Sequence, residues 1–435
     1  MPDGSTDTRS LAALVQPGRV HRRVYTDPEI FELEMARLFG RSWLYVGHAS
    51  QVPSPGDFIT TELGRQPVIL IRHQDGTIRV LLNRCTHRGV KLLAERSGNR
   101  PRLVCLYHGW TYDTDGALAR VPIDEGCAPG FRTCDFNLAT AARTGTYRGF
   151  VFASLAPEGG GLPTFDEWIA PMRRNIDDIV DRAPAGEIAL DVGVHRYRFR
   201  GNWKMQVENV IDSYHVPFSH ASTVNRKGVQ FSRREGDAEG AKVVDGQRTA
   251  ASWKRRRGHD VGHGHGWTSN TELDEGSRSS PAWNEYRQAL DAAVGRERAE
   301  QILTPRMHNS MLYPNASFMG LNMHIRVIRP LAVDLTEVNV YPIRLVGAPE
   351  AINVRNTRLL NVTHAAASFV QSDDIEAFAR QQAGLASRQG DWVDISRGLD
   401  ADEPGDEPGT RCAPSTGELL VRAQFRAWLD LMREA

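Results

Sequence analysis

Cys85-Thr-His87, then seventeen residues, then Cys105-Leu-Tyr-His108 is the feature that leaves this chain the fewest choices. One thiolate and one imidazole from each of two short loops must converge on a single centre, so both loops must be held rigidly. Strand-like runs lead into them, Thr77-Ile-Arg-Val-Leu-Leu82 before the first and Arg102-Leu-Val-Cys105 into the second. Two β-loops gripping a centre from opposite sides are the expected geometry, and a small all-β domain is the fold that supplies them.

Two kinds of centre accept this donor set. Zinc takes two thiolates and two imidazoles in a tetrahedral shell, but zinc-finger ligands come as a cysteine pair and a histidine pair. Here each loop contributes one of each. That division suits a Rieske [2Fe-2S] cluster, in which thiolates hold one iron, imidazoles replace the other thiolate pair, and the potential rises above that of an all-cysteine cluster. Cys85, His87, Cys105 and His108 are therefore read as an electron-transfer site.

Organisation along the chain gives that site a setting. At 435 residues there is material for two or three domains. Asp27-Pro28 reads as the cap and first turn of a short amphipathic helix in an N-terminal segment, residues 1–42. From Trp43 to about Leu155 short alternating strands such as Pro67-Val-Ile-Leu-Ile-Arg72 are separated by Gly, Asp and Pro turns, giving a cluster domain over residues 43–157. Glu158-Gly-Gly-Gly161 marks the boundary. In residues 158–435 helices are expected at 163–182, 203–220, from near 350 and from Thr416 to Glu434. Strands are expected at 188–200, 308–319, 323–331 and 335–345, an order that fits an antiparallel sheet with helices packed on it. Residues 221–300, which include Lys254-Arg-Arg-Arg257 and His259-Asp-Val-Gly-His-Gly-His265, read as a mobile, solvated lid rather than a metal site, because the glycines leave the histidines without a frame. Asp400 to Pro408 reads as a solvated loop.

Charge excludes some partners. Lysine plus arginine equals aspartate plus glutamate at 53 each, so no overall field favours nucleic acid or an anionic membrane. The N-terminus lacks a signal peptide's charged head and apolar core, and no run of about eighteen apolar residues could span a bilayer, so a cytoplasmic enzyme is expected. Cys127, Cys134 and Cys412 then read as free thiols.

A cluster alone would suit a ferredoxin, so a second constellation decides the class. It lies in Glu208-Asn-Val-Ile-Asp212-Ser-Tyr-His215-Val-Pro-Phe-Ser-His220. His215 and His220 are five apart, which is not one helical face, and a distortion near Pro217 is needed to bring them together. Two histidines and one carboxylate on one octahedral face leave positions open, as in non-haem Fe(II) oxygenases. Ser372-Asp373-Asp374-Ile-Glu376, at the head of a helix over Asp374 to Leu385, is the best source of the carboxylate, although either aspartate also suits a helix cap.

Cys-X-His, Cys-X2-His, Asn202-Trp203-Lys204, Glu208-X3-Asp212-X2-His215-X4-His220 and the late Asp-Asp together resemble the large (α) subunit of Rieske non-haem iron aromatic-ring-hydroxylating oxygenases. The resemblance spans nearly the whole chain. It implies an α+β fold, with a small all-β Rieske [2Fe-2S] domain and a helix-grip-like catalytic domain around a mononuclear Fe(II). It also implies that His215, His220 and Asp374 bind that iron. Asp212 would link the cluster ligand His108 of one protomer to His215 of its neighbour, so the chain is expected to work as a homotrimer. Benzoate-type relatives add a small β subunit and others do not. The resemblance implies NADH-derived electrons arriving through a separate flavin- or ferredoxin-type reductase, and since no Gly-X-Gly-X-X-Gly follows a strand, this chain is not expected to bind the nicotinamide itself. The implied reaction adds O2 to an aromatic ring to give a cis-dihydrodiol.

Over the cluster region, the Glu208-to-His215 segment and the C-terminal strands, the chain looks most like the benzoate and terephthalate branch. An aromatic acid needs a fixed cation in its pocket, and arginine pairs with a carboxylate bidentately. Arg326 matches an arginine of the terephthalate-type enzymes in position. On a strand it could equally salt-bridge to its neighbour. His308, His324 and Asn315 are further pocket candidates. The alternatives to a dioxygenase are a Rieske monooxygenase or demethylase, a pure electron-transfer protein, and an iron-based sensor.

Overall fold

The structure, a computed structural model, describes residues 11–159, 161–221, 256–270, 280–303 and 306–433. Leu38–Asp166 form one compact unit; the described residues up to Arg37, together with those from Glu167 onward, form a second.

The first unit is built of short antiparallel strands. Ile78–Leu82, Gln66–Arg72, Asp57–Leu63 and Ser97–Asn99 make a four-stranded sheet in that order, and Leu118–Arg120, Thr111–Tyr112 and Leu103–Val104 make a three-stranded one. Val68 to Ile71 are buried without a break, as a central strand covered on both faces requires. Phe58, Ile69, Ile71, Leu81, Leu103 and Tyr112 pack into one core that also takes in Cys85 and Cys105. The thiols are thus anchored in apolar surroundings. Leu44–His48, Arg143–Tyr147 and Phe150–Ser154 form a further sheet.

A nine-stranded antiparallel sheet organises the second unit. Its strands are β1 (His195–Arg200), β2 (Arg257–Gly262), β3 (His265–Asn270), β4 (Arg306–Leu312), β5 (Ala316–Met319), β6 (His324–Ala332), β7 (Leu335–Pro342), β8 (Glu403–Pro404) and β9 (Arg411–Pro414). They are ordered β1-β7-β6-β5-β4-β3-β2-β9-β8. Around it lie α1 (Pro28–Leu33), α2 (Arg173–Val180), α3 (Trp203–Ile211), α4 (Val216–Ser219), α5 (Pro281–Val294), α6 (Arg296–Leu303), α7 (Glu350–Thr363), α8 (Gln371–Leu385) and α9 (Leu419–Met432). Among the described residues no helix is long and apolar enough to cross a membrane.

Several expectations need correction. The run 308–319 is two strands, because the chain turns at Tyr313-Pro314-Asn315 and brings Leu312 opposite Ala316. His259 to His265 form no lid. They belong to the hairpin β2–β3 in the sheet, with Gly262, His263 and Gly264 at positive φ in its turn. His265 is fully buried between the Trp168 carbonyl at 3.1 Å and the Tyr313 amide at 3.0 Å, and His259 stacks on Trp267. Residues 280–300 of the expected lid form α5 and most of α6, while residues 222–255 with Lys254 and residues 271–279 lie outside the described residues. Within the expected loop 400–408, Glu403–Pro404 pair as the sheet's edge. Finally, the helix capped by the Asp27 side chain runs only from Pro28 to Leu33 before a π-turn over Glu34–Leu38. That turn places Glu34 among Trp203, Lys204 and Trp428.

Candidate metal centres

Both cysteine loops fold the same way. The Cys85 amide donates to the Val90 carbonyl at 2.8 Å and the Gly89 amide returns to the Cys85 carbonyl at 2.9 Å. In the second loop Cys105 donates to Trp110 at 2.8 Å and Gly109 returns to Cys105 at 3.0 Å. Closing each loop puts Gly89 at φ 76° and Gly109 at φ 67°, the left-handed region where a side chain is penalised. The sequence carries this signal as a glycine four residues after each cysteine, which sequence reasoning passed over. The thiols are buried, the imidazoles of His87 and His108 are exposed, and the two rings lie 4.6 Å apart between centroids. Trp110 stacks on His87, and the Tyr112 hydroxyl sits 3.2 Å from the Cys85 sulfur while accepting from the Thr86 amide. Buried sulfurs with solvent-facing imidazoles suit the donor set of a cluster that exchanges electrons through its histidine side.

The second constellation is made by a helix break. Capped by Asn202, α3 ends at Ile211; Asp212 is extended at φ −89° and ψ 120°, and α4 then makes a single turn with Pro217 in its first positions. His215 and His220 flank that turn as its N-cap and C-cap. The distortion expected near Pro217 is thus a broken helix. Asp374, in the first turn of α8, brings a carboxylate oxygen to 3.3 Å from His220 Nε2 and 3.7 Å from His215 Nε2. Ligand atoms of the three lie within 4.8 Å of one another, close enough to share one metal ion.

The other ring nitrogens are also engaged. Asp212 lies 3.1 Å from His215 Nδ1, and Asp373 lies 3.3 Å from His220 Nδ1. Carboxylates behind both imidazoles fix each ring with Nε2 toward the centre and raise its basicity. Sequence reasoning offered Asp373 and Asp374 as helix caps, and the structure corrects this: Val370 is the N-cap, with Ser368 Oγ accepting from the Gln371 amide. It also missed Asn209, whose amide donates to Asp374 at 3.0 Å and lies 3.2 Å from His215 Nε2. Burial pushes the Asp374 carboxyl up, but His220, His215 and Arg326 outweigh it and hold the group below its ordinary value. Burial opposes the His215 charge, but Asp212 raises that imidazole overall.

A cavity of about 240 Å³ opens beside His215 and Asp374, with Glu208, Asp212 and Glu418 in its wall. Burial raises Glu208 to about 8 and Glu418 to about 7, and the Asp212 charge adds to both.

Arg326, on β6, is 3% exposed and stands opposite Ser317 and Val340. Among the described residues its guanidinium has no hydrogen-bond partner, its Nε is fully buried, and no carboxylate lies in salt-bridge range. The cross-strand ion pair that a strand arginine often makes is absent here. Burial lowers its pKa, and the charges of Tyr197 and Asp374 pull it back, which places it within electrostatic reach of the candidate ligand. Tyr197 pairs with Val338 and stands on the same face of the sheet, where its hydroxyl meets Gln206 of α3 at 3.0 Å. His324 shares that face. Asn315 is buried in the turn before β5, and the side chain of His308 lies outside the described residues.

Comparison with known proteins adds the family. Residues 42–132 match the Rieske [2Fe-2S] domain, and residues 187–434 match the ring hydroxylating alpha subunit (catalytic domain). The chain is 34% identical to the toluate 1,2-dioxygenase subunit alpha of Pseudomonas putida over 388 residues, covering 87% of this chain and 81% of that protein. It is 32% identical to the anthranilate 1,2-dioxygenase large subunit of Acinetobacter baylyi, covering 87% and 80%. Among solved structures, naphthalene 1,2-dioxygenase with indole bound in the active site superposes with a TM-score of 0.83 at 24% identity, covering 98% of this chain and 95% of that one.

Proposed function

The chain belongs to the ring-hydroxylating alpha subunits of the Rieske family, and from that premise we propose that it is the oxygenase component of a dioxygenase acting on an aromatic carboxylate. One observation carries the substrate class. Among the described residues Arg326 is a buried cation with no carboxylate in salt-bridge range, two strands from the edge of the sheet and within electrostatic reach of Asp374. An isolated buried charge is costly, and a substrate carboxylate would supply its missing partner through two parallel hydrogen bonds. The relatives named for toluate and anthranilate act on acids of this kind, which supports the same reading.

Each residue then has a task. Cys85, His87, Cys105 and His108 would hold the [2Fe-2S] cluster, and His215, His220 and Asp374 would hold a mononuclear Fe(II). When bound, the cluster supplies single electrons and the ferrous ion supplies the chemistry that makes O2 reactive toward a ring. Asp212 and Asp373 orient the imidazoles from behind, and Asn209 holds the Asp374 oxygen. Arg326 orients the ring by its carboxylate. Electrons would come from NADH through a separate reductase. They would pass from His108 of one protomer to Asp212 and His215 of its neighbour in a trimer, with or without a small β subunit.

A single turnover of reduced, iron-loaded protein under 18O2 with benzoate, toluates, salicylate and anthranilate, read by mass spectrometry, tests this. Two labelled oxygens in one cis-diol are expected. One labelled oxygen would make the enzyme a monooxygenase, and no product from any acid would remove the aromatic-acid reading.

A further inference from the structure

His324 stands two residues before Arg326 on β6, so their side chains leave the same face of the sheet about 7 Å apart along the strand. It is fully buried, and its Nε2 has no hydrogen-bond partner among the described residues. The other side of the ring is fixed by a chain of bonds that begins in α7. The Thr363 hydroxyl donates to the Leu359 carbonyl at 2.7 Å, so toward Asn322 Nδ2 at 2.9 Å it must accept. That orients the Asn322 amide, with its nitrogen also 2.7 Å from His364 Nδ1 and its oxygen toward His324. Asn322 Oδ1, 2.7 Å from His324 Nδ1, therefore accepts a hydrogen bond from the N–H of that nitrogen. Burial and the adjacent Arg326 charge hold the imidazole well below its ordinary range, so the ring is neutral. Nε2 is left as a bare acceptor whose orientation is set from α7.

A buried acceptor with no donor costs free energy in the empty protein, and that cost is relieved by a ligand that brings the donor. Resting on the aromatic-acid reading above, we infer that the preferred substrate carries, beside its carboxylate, an N–H or O–H substituent that donates to Nε2 of His324. Arg326 takes the acid group and His324 reads the second substituent. A methyl or halogen in that place would leave the acceptor unpaired. The same geometry therefore distinguishes an amino- or hydroxy-substituted acid from an alkylated one, a distinction that the relatives named for anthranilate and toluate leave open.

Equilibrium binding to the anaerobic holoenzyme, measured by titration calorimetry, tests the inference with three matched series: aminobenzoates, hydroxybenzoates and methylbenzoates, each at all three ring positions, with benzoate as reference. At one position the amino or hydroxy acid should bind about tenfold tighter or more than its methyl counterpart, since a site built to pair a donor rejects the analogue lacking it. Whichever series shows the preference identifies the donor atom. His324→Phe should bring that ratio near one while keeping methylbenzoate affinity. His324→Gln, which retains an acceptor oxygen, should keep part of the preference and serves if the phenylalanine variant does not fold. Benzoate and methylbenzoates binding as tightly as every donor-bearing acid would overturn the inference and leave the aromatic-acid reading standing, and so would a preference that survives in both variants. If no acid binds, both fall together.

Discussion

Asp373 and Asp374 are neighbours in sequence, yet they meet the candidate centre differently. Asp374 turns its oxygen into the space between two Nε2 atoms, whereas Asp373 reaches the back of the His220 ring. Asp373→Ala should therefore leave all three candidate ligands in place and weaken Fe(II) binding about 10- to 100-fold, the usual loss when a carboxylate behind a metal-bound imidazole is removed. Competition with a chelator of known affinity measures it; unchanged affinity would return Asp373 to the role of a helix-end acid. Side chains that touch a metal are legible in a sequence because few residue types have the donor atoms. Those one bond further out are not. An aspartate near a helix start suits a cap equally well, and Asn209 gains its place only when the break after Ile211 brings α3, His215 and α8 together.

At the scale of elements, alternation and capping revealed most strands and helix starts, and the failures have local causes. Glycines around His259 and His265 suggested a flexible loop. In the folded chain Gly262 and Gly264 take the hairpin turn at positive φ, and Gly258 and Gly266 are small because α9 lies against them: a Cβ on Gly266 would sit 2.8 Å from Leu420 Cδ2, and one on Gly258 would sit 3.2 Å from Leu420 Cδ1. Close packing and flexibility select the same residue, so composition cannot separate them. The π-turn after α1 was equally hidden, since what it achieves is long-range. It delivers the fully buried Glu34 to the indole nitrogens of Trp203 at 2.8 Å and Trp428 at 2.7 Å and to the Lys204 amine at 2.5 Å. One carboxylate thereby ties the N-terminal segment to the start of α3 and to α9. Glu34→Ala would strand a buried ammonium and two indole donors. A loss of about 3–5 kcal/mol of stability is expected, read from urea denaturation, with the visible spectrum of the cluster unchanged before unfolding. Glu34→Ala combined with Lys204→Met removes the unpaired charge and should recover part of that loss. A single variant as stable as the parent would show that the pair is not what fixes α3.

For the whole molecule, the question is how electrons collected at one centre reach the other. His87 and His108 are exposed on the first unit, flanked by Leu106 and Tyr107, which are 81% and 55% exposed. On the second unit Asp212 keeps 31% of its side chain accessible while holding His215 Nδ1 at 3.1 Å. Both centres thus present a polar contact at a surface, and the family resemblance assigns the junction between them to neighbouring protomers. If that assignment holds, two inactive chains should complement each other. Cys85→Ser abolishes the cluster and His215→Ala abolishes the mononuclear site, and each alone should give no turnover. Co-expressed and purified as mixed oligomers through two different tags, they should regain activity, because a protomer with an intact cluster can serve a neighbour with intact iron ligands. Asp212→Ala placed on the Cys85→Ser chain should remove the regained activity; placed on the His215→Ala chain it should not, since only the receiving protomer uses that carboxylate. Mixed oligomers that contain both metals and stay inactive would instead mean that each chain passes electrons internally, and Asp212 would then be left with the orientation of His215 as its task.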